Sequence, residues 1–380
     1  MGCALEGIKI IDLSRMLPGP YCSMILADHG ASVIAIEDKR FMADDIFLSP
    51  VNRNKDHMTL NLKTKEGQEI FFKLIREADV LMEGFRPGVT KRLGIDYEVS
   101  KKINPGIIYC SITGYGQDGP FRDIAGHDVN YLSFAGILDI IGEKDGSPCI
   151  PGIQIADLVG GGMNAAIGIL LAIVARERTG KGQYIDISMT DGMVGLLPVP
   201  LHIFQKNGIV PQRSDTFLSH RYACYNVYET ADRRYISIGA VENRFWQNLC
   251  DVLDVPEYGP LQYDDNHREE ILDFIRSAFK KKTLEQWIEV LRDKDVCWGK
   301  VQDLTEVLND PLFLARDMVG EVKDNKGNSV KVLGIPVKLS DTPGSIRTAP
   351  VGFGESTKKI LEGLGYTERD IEGFMEKGVV

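Results

Sequence analysis

Short β-branched runs alternate with helical stretches of ten or more residues along the first half of this chain, and nothing else in it narrows the possible folds so far. Ile8-Lys9-Ile10-Ile11-Asp12-Leu13 reads as a buried strand behind Gly7. It leads through Met16-Leu17-Pro18-Gly19-Pro20, a turn, into a small-residue helix over 21–28, a stop at Gly30 and a second strand over 32–36. The alternation resumes with a strand over 58–62, a helix over 65–77 with Ile70, Phe71, Leu74 and Ile75 on one face, and strands over 80–83 and 107–111. A long apolar helix after Asp157 and a strand over 184–188 continue it. Strands joined by crossover helices lie parallel, with helices on both faces, so the expected fold class is α/β with a doubly wound parallel sheet.

At 380 residues the chain is long for one core. A helix over 191–204 is broken at Pro198 and Pro200, and polar residues follow without periodicity. A hairpin over 222–239 and helices over 244–253, 267–281 and 283–294 form a smaller α+β unit. The expected division is a large domain over 1–200, a linker over 201–221, a small domain over 222–324 and a tail over 325–380 returning to the large one. A net charge of −10 excludes a general polyanion surface, and with it a nucleic-acid partner, but leaves room for a phosphate pocket. Seven cysteines with no CxxC pair suit free thiols in a reducing, cytoplasmic setting. Residues 158–175 carry no charge and just reach membrane-spanning length, yet four glycines and Asn164 make a buried helix the better reading, so no membrane partner is expected.

Two clusters follow strands, at the sheet edge where open α/β folds take ligands, and a third opens the long apolar helix. Glu83-Gly84-Phe85-Arg86-Pro87-Gly88-Val89, with Arg92 behind it, combines glycines that admit a ligand with arginines that fork onto phosphate. Arg53-Asn54-Lys55 and Lys39-Arg40 are expected to converge on the same edge; a turn with solvated arginines is the simpler account. Thr113 to Pro120 leads into Gly126-His127-Asp128-Val129-Asn130-Tyr131, where His127 suits proton exchange near neutral pH, or caps the next segment. Asp157, followed by Gly160-Gly161-Gly162, stands where an N-cap is worth about 1 kcal/mol, or where a carboxylate meets backbone N–H groups that hold an oxyanion. The absence of a G-x-S-x-G elbow, an H-E-x-x-H pair and a Walker lysine removes the usual hydrolase, zincin and NTPase readings, and no metal site is expected.

Taken in order, these clusters resemble the family III CoA-transferase superfamily, closest in motifs to its α-methylacyl-CoA racemases. The resemblance also rests on Leu5 to Ile10 with Pro18-Gly19-Pro20, on Thr179-Gly180-Lys181-Gly182-Gln183, and on Gly239-Ala240-Val241-Glu242 before Phe245-Trp246. It implies a Rossmann-like large domain and two subunits threaded as an interlocked homodimer, with coenzyme A entering as part of an acyl-CoA substrate and no further cofactor. The residues expected to hold coenzyme A are Arg53, Lys55, Gly84, Arg86, Arg92 and Gly126. In racemases the residues matching His127 and Asp157 pass the α-proton between faces through an enolate, and the one matching Glu242 supports the histidine. In transferases the residue matching Asp157 is the nucleophile, giving an anhydride and then an aspartyl-CoA thioester. A two-base reaction gives His127 and Glu242 a use that the transferase lacks, so racemisation or epimerisation of an α-branched acyl-CoA is the favoured reading. CoA transfer between carboxylic acids is the alternative, and a catalytically silent subunit paired with a homologous partner is a third. Two departures stand out. His220-Arg221 replaces a Gly-Gly pair, so Arg221 is expected to meet a carboxylate on the acyl group, and Asp38 leaves Lys39 or Arg40 to serve the adenine.

Overall fold

The computed structural model describes residues 2–44, 47–324 and 326–380; Asn325, at the expected start of the tail, lies outside them. The chain forms two compact units, one built from residues up to Ile137, Pro151–Leu197 and Pro311–Val380, the other from Leu138–Ile150 and Pro198–Asp310.

The first unit runs β1 (Lys9–Asp12), α1 (Pro18–Asp28), β2 (Ser32–Glu37), β3 (Lys55–Thr59), α2 (Lys65–Glu77), β4 (Val80–Glu83), α3 (Val89–Leu93), α4 (Tyr97–Ile103), β5 (Ile108–Thr113) and α5 (Asp128–Phe134). A π-helix (Ala156–Met163) continues into α6 (Asn164–Thr179), followed by β6 (Tyr184–Ser188) and α7 (Met189–Val194). The sheet order is β3-β2-β1-β4-β5-β6, with every pair parallel. Strand order reverses between β1 and β4, which opens a crevice at their carboxyl ends. Helix α2 shows how the pattern is read locally. Thr64 caps it by accepting from the Gly67 amide (3.0 Å), and Ile70, Phe71, Leu74 and Ile75 are buried in the core with Met58, Leu81 and Tyr109.

Strand β3 begins three residues earlier than the sequence pattern placed it. Asn54 turns the chain at φ 58°, and Lys55 then pairs beside Val33. Arg53 and Lys55 therefore stand at the amino ends of the strands, away from the ligand edge. The Arg53 guanidinium is buried on Asp28 (Nη2 to Oδ2 2.7 Å, Nε to Oδ1 3.0 Å) and also donates to the Leu333 carbonyl. Lys55 donates its ammonium to the Pro20 carbonyl (2.7 Å), and burial pushes its pKa down to about 8. Neither presents its charge to a ligand. Arg53→Met, which strands the Asp28 carboxylate, should cost about 3–5 kcal/mol in urea denaturation and leave coenzyme A affinity of the folded protein unchanged. Weakened binding by folded R53M would return Arg53 to the ligand site.

The second unit holds α8 (Pro198–Asn207), β7 (Tyr225–Glu229), β8 (Tyr235–Gly239), α9 (Asn243–Val252), α10 (Arg268–Phe279), α11 (Leu284–Leu291), β9 (Trp298–Lys300) and α12 (Leu304–Val307). Its antiparallel sheet, β7-β8-β9, shares a core with Trp246, Phe279 and Trp287. The segment expected as a linker opens inside α8, because Pro198 starts a new helix at N1, where it lacks only an N–H that would go unpaired. The remainder, α13 (Pro311–Ala315), the hairpin β10 (Val319–Lys323) with β11 (Ser329–Leu333), α14 (Thr357–Gly363) and α15 (Glu368–Glu376), packs with the first unit. Asn54 binds the Ser345 carbonyl (2.9 Å), the Thr59 amide donates to Thr357 (3.0 Å), and the Asn61 amide donates to the Val379 carbonyl (2.8 Å). This return begins at Pro311, earlier than expected from composition.

Candidate active site

The crevice between β1 and β4 is a cavity of about 520 Å³ whose cations come from the carboxyl ends of four strands: Arg15 after β1, Arg40 after β2, Lys63 after β3, and Arg86 and Arg92 after β4. The Arg15 guanidinium lies 3.3 Å over the Phe41 ring and its Nε reaches Glu37 (2.7 Å); Arg40 stacks 4.4 Å from the same ring. Gly84, Arg86 and Arg92 line this cavity, as the sequence motif suggests. Gly126 does not. It is half-buried against Tyr131, where a Cβ would lie 2.7 Å from the ring, so its role in the described structure is packing. Arg15, Phe41 and Lys63 escaped the sequence reading because each is a single residue one turn past a strand, with no motif around it.

Beneath the crevice Glu83 is buried at the end of β4. It accepts from the Phe85 amide (2.7 Å) and from Ser111, whose hydroxyl in turn receives that of Tyr184 (2.9 Å). Burial raises its carboxyl to about 7, against the opposing pull of those donors. Because the folded pKa lies above the unfolded value, this group favours the folded state below about pH 4.5, and that advantage is lost as pH rises through 7. Glu83→Gln should therefore be more stable than the parent by about 3 kcal/mol at pH 8 and no more stable at pH 4. Thermal melts at both values check this, and an equal gain at both would contradict it.

The candidate proton-transfer groups named from sequence lie near two helix starts, within electrostatic reach of each other. His127 is exposed and precedes α5; its amide donates to Asn130 Oδ1 (3.0 Å) and its carbonyl accepts from the Asn130 amide (2.8 Å). Asp157 sits in the first turn of the π-helix and is not its cap, since the chain is already helical at Ile155 (φ −66°, ψ −42°). The cap is supplied by Asp128, whose Oδ2 accepts from the Ala156 (2.7 Å) and Asp157 (3.1 Å) amides. Those two N–H groups are thus occupied by a carboxylate. The three glycines serve packing: a Cβ on Gly161 would lie 2.7 Å from Pro18, and one on Gly160 2.6 Å from the Met189 carbonyl. They let a helix of π width lie close against α1 and α7.

Asp157 is half-buried, and its carboxyl is raised to about 6 by burial first and the Asp128 charge second, with His127 pulling it back down. The nearby Tyr131 hydroxyl donates to the Gly126 carbonyl (2.5 Å); burial and Asp157 raise its pKa while Arg86 opposes them. Arg86 therefore connects the cationic cavity electrostatically with the neighbourhood of His127 and Asp157.

Glu242 belongs to the second unit, exposed at the start of α9. In the same unit each of the three Arg221 guanidinium nitrogens is engaged: Nη1 by Asp215 (2.9 Å), Nη2 by Asp265 (2.9 Å) and Nε by the Tyr222 hydroxyl (3.2 Å). The expectation that Arg221 pairs with an acyl carboxylate is withdrawn on that geometry. His220 stands at φ 63°, a left-handed conformation that glycine adopts without strain.

Fold and site define a doubly wound α/β protein with a cationic cleft at the reversal of strand order and a histidine–aspartate pair beyond it. It belongs to CoA-transferase family III, an enzyme family whose model matches residues 5–357. Relatives include an acyl-CoA transferase of Fusarium pseudograminearum, 36% identical across 99% of this chain and 88% of its own. The α-methylacyl-CoA racemase of Homo sapiens is 33% identical across 97% of this chain and 95% of its own. The crystal structure of a CAIB/BAIF family protein from Brucella suis superimposes with a TM-score of 0.81, at 28% identity, over 96% of this chain and all of that one.

Proposed function

We propose that this protein racemises or epimerises an α-branched acyl-CoA, such as a 2-methylacyl-CoA, by moving the α-proton between His127 and Asp157. The observation that carries the reading is the pairing itself: an imidazole stands within electrostatic reach of a carboxyl raised to about 6, so two groups of proton-transferring type face one site. One group takes the α-proton as the C–H electrons pass to the thioester oxygen. The other returns a proton to the opposite face as the enolate collapses. Glu242 is assigned to support the histidine. The cavity cations Arg15, Arg40, Lys63, Arg86 and Arg92 suit the phosphates of coenzyme A, and Phe41 offers its adenine a ring. No cofactor beyond the coenzyme A of the substrate is required.

CoA transfer through an Asp157 thioester is the second reading, supported by the transferase relative at 36% identity. Heavy water separates the two. Deuterium entering the α-position of a 2-methylacyl-CoA with no second acid present supports racemisation. Absence of exchange, with CoA passing to an added carboxylic acid and a hydroxylamine-sensitive adduct on Asp157, would replace it with transfer. Neither result would leave the silent-subunit reading.

We further propose a homodimer in a cytoplasmic setting. All seven cysteines are free thiols. The helical run Ala156–Thr179 is apolar and long enough to cross a membrane, yet Ala165, Ala166, Ile169, Ala172 and Ile173 are buried within its own unit. Ile167, Leu171 and Val174 remain exposed on the other side, a stripe that a second copy would cover.

A further inference from the structure

We propose that Asp128 is the positioning residue of this site: its carboxylate holds the first turn of the π-helix, and so sets Asp157 against His127. The proposal rests on the reading of His127 and Asp157 as the reacting pair.

The free N–H groups at a helix start are ordinarily satisfied by a side chain just before it; here Ile155, already helical at φ −66° and ψ −42°, has no acceptor to offer. The acceptor is instead imported from a residue 28 positions earlier in the chain. Asp128 is buried at 8% exposure, and both hydrogen bonds fall on one oxygen, Oδ2. It is also the first residue of α5, directly after His127. A single carboxylate thus ties the backbone of one reacting residue to the neighbour of the other. Between them the chain leaves for the second unit, in which residues 138–150 lie, so without this tie the path along the backbone from His127 to Asp157 passes through another unit.

The same carboxylate is a charge beside Asp157 and raises its carboxyl. The other titratable or charged groups on the elements around the π-helix are His127 and Tyr131 from the α5 region, Tyr21, Cys22 and Asp28 of α1, Tyr184 and Asp186 of β6, Asp191 of α7, and Arg176, Glu177 and Arg178 at the far end of α6. Of these, His127 acts on Asp157 in the opposite direction. Removing the Asp128 charge should therefore lower the Asp157 midpoint, since burial and His127 stay as they were.

Two substitutions divide geometry from charge. Asp128→Asn keeps an oxygen for the two amides and discards the charge, whereas Asp128→Ala discards both. The Asp157 carboxyl is followed by 13C NMR of aspartate-labelled protein, with Asp157→Asn identifying its resonance. D128N should move the midpoint to lower pH, shift the acid limb of kcat/KM with it, and keep kcat within about 10-fold of the parent. D128A should lower kcat by about 100-fold, as expected of a sub-ångström to ångström displacement, with KM for the acyl-CoA within about 3-fold. An unmoved midpoint in D128N, or an unchanged kcat per folded D128A molecule, overturns the proposal. If D128A does not fold, Asp128→Glu, which keeps the charge and displaces the acceptor oxygen by one methylene, decides the positioning role by the same loss of kcat. The NMR midpoint needs no turnover. A shifted midpoint in a protein that neither exchanges α-hydrogen nor moves CoA would remove the proposed reaction and leave the role of Asp128 standing; an unshifted midpoint in an active enzyme would do the reverse.

Discussion

Asp157→Ala is expected to lower turnover by about 10⁴-fold, whichever reaction is assayed, and to leave the affinity for free coenzyme A within about 2-fold. A factor of 10⁴ corresponds to about 5.5 kcal/mol of lost transition-state stabilisation, the upper range for removing a general acid–base group. Both reactions need this carboxylate, one as a base and the other as a nucleophile. Binding is spared because the cations of the cavity are carried by other elements, at Arg15, Arg40, Lys63, Arg86 and Arg92. Steady-state rates and calorimetric titration with coenzyme A check the two halves, and a residual rate within 10-fold of the parent would remove Asp157 from the reaction. Stability should move the opposite way. The folded carboxyl is raised above its unfolded value to about 6, so its ionised form opposes folding above that pH. Asp157→Asn should melt higher than the parent at pH 8 and gain nothing at pH 3.5, the signature of a group held out of its preferred ionisation state for function.

The alternation that makes the parallel sheet was legible because parallel strands are buried on both faces and read as apolar runs: Ile10-Ile11, Val33 to Ile36, Val80 to Met82, Ile107-Ile108. Strand β3 was misplaced for the same reason. Its first residues, Lys55, Asp56 and His57, are polar, and hydropathy gives no sign that Lys55 and His57 are buried. The slip moved Arg53 and Lys55 to the wrong edge of the sheet and hid Lys63 at the right one. His127 and Asp157 stood out in the sequence because both sit in glycine-marked segments, His127 beyond a strand and Asp157 at the start of the apolar helix. What holds Asp157 did not, since a cap supplied from 28 residues away leaves no local pattern. The glycines after Asp157 also have a packing reason that the sequence does not show, since a Cβ on Gly161 or Gly160 would meet Pro18 or Met189.

His127→Gln should divide inversion from exchange. In a two-base reaction each base serves one face of the α-carbon, so the amide variant loses the partner that completes inversion, and racemisation should fall by about 10⁴-fold. Asp157, with its carboxyl near pH 6, can still remove and return the hydrogen on its own face. One configuration of the acyl-CoA should therefore keep exchanging its α-hydrogen with heavy water, within about 10-fold of the parent rate and without inverting, while the other should cease to exchange. The transferase reading gives a different pattern, because an aspartyl thioester forms and breaks without α-proton removal, and CoA transfer by His127→Gln should then stay within about 10-fold of the parent. Proton NMR of each configuration in heavy water, followed by chiral separation of the recovered acid, reads both outcomes. Equal loss of exchange from both configurations would make His127 and Asp157 parts of one proton relay acting on a single face, and the two-base assignment would fall.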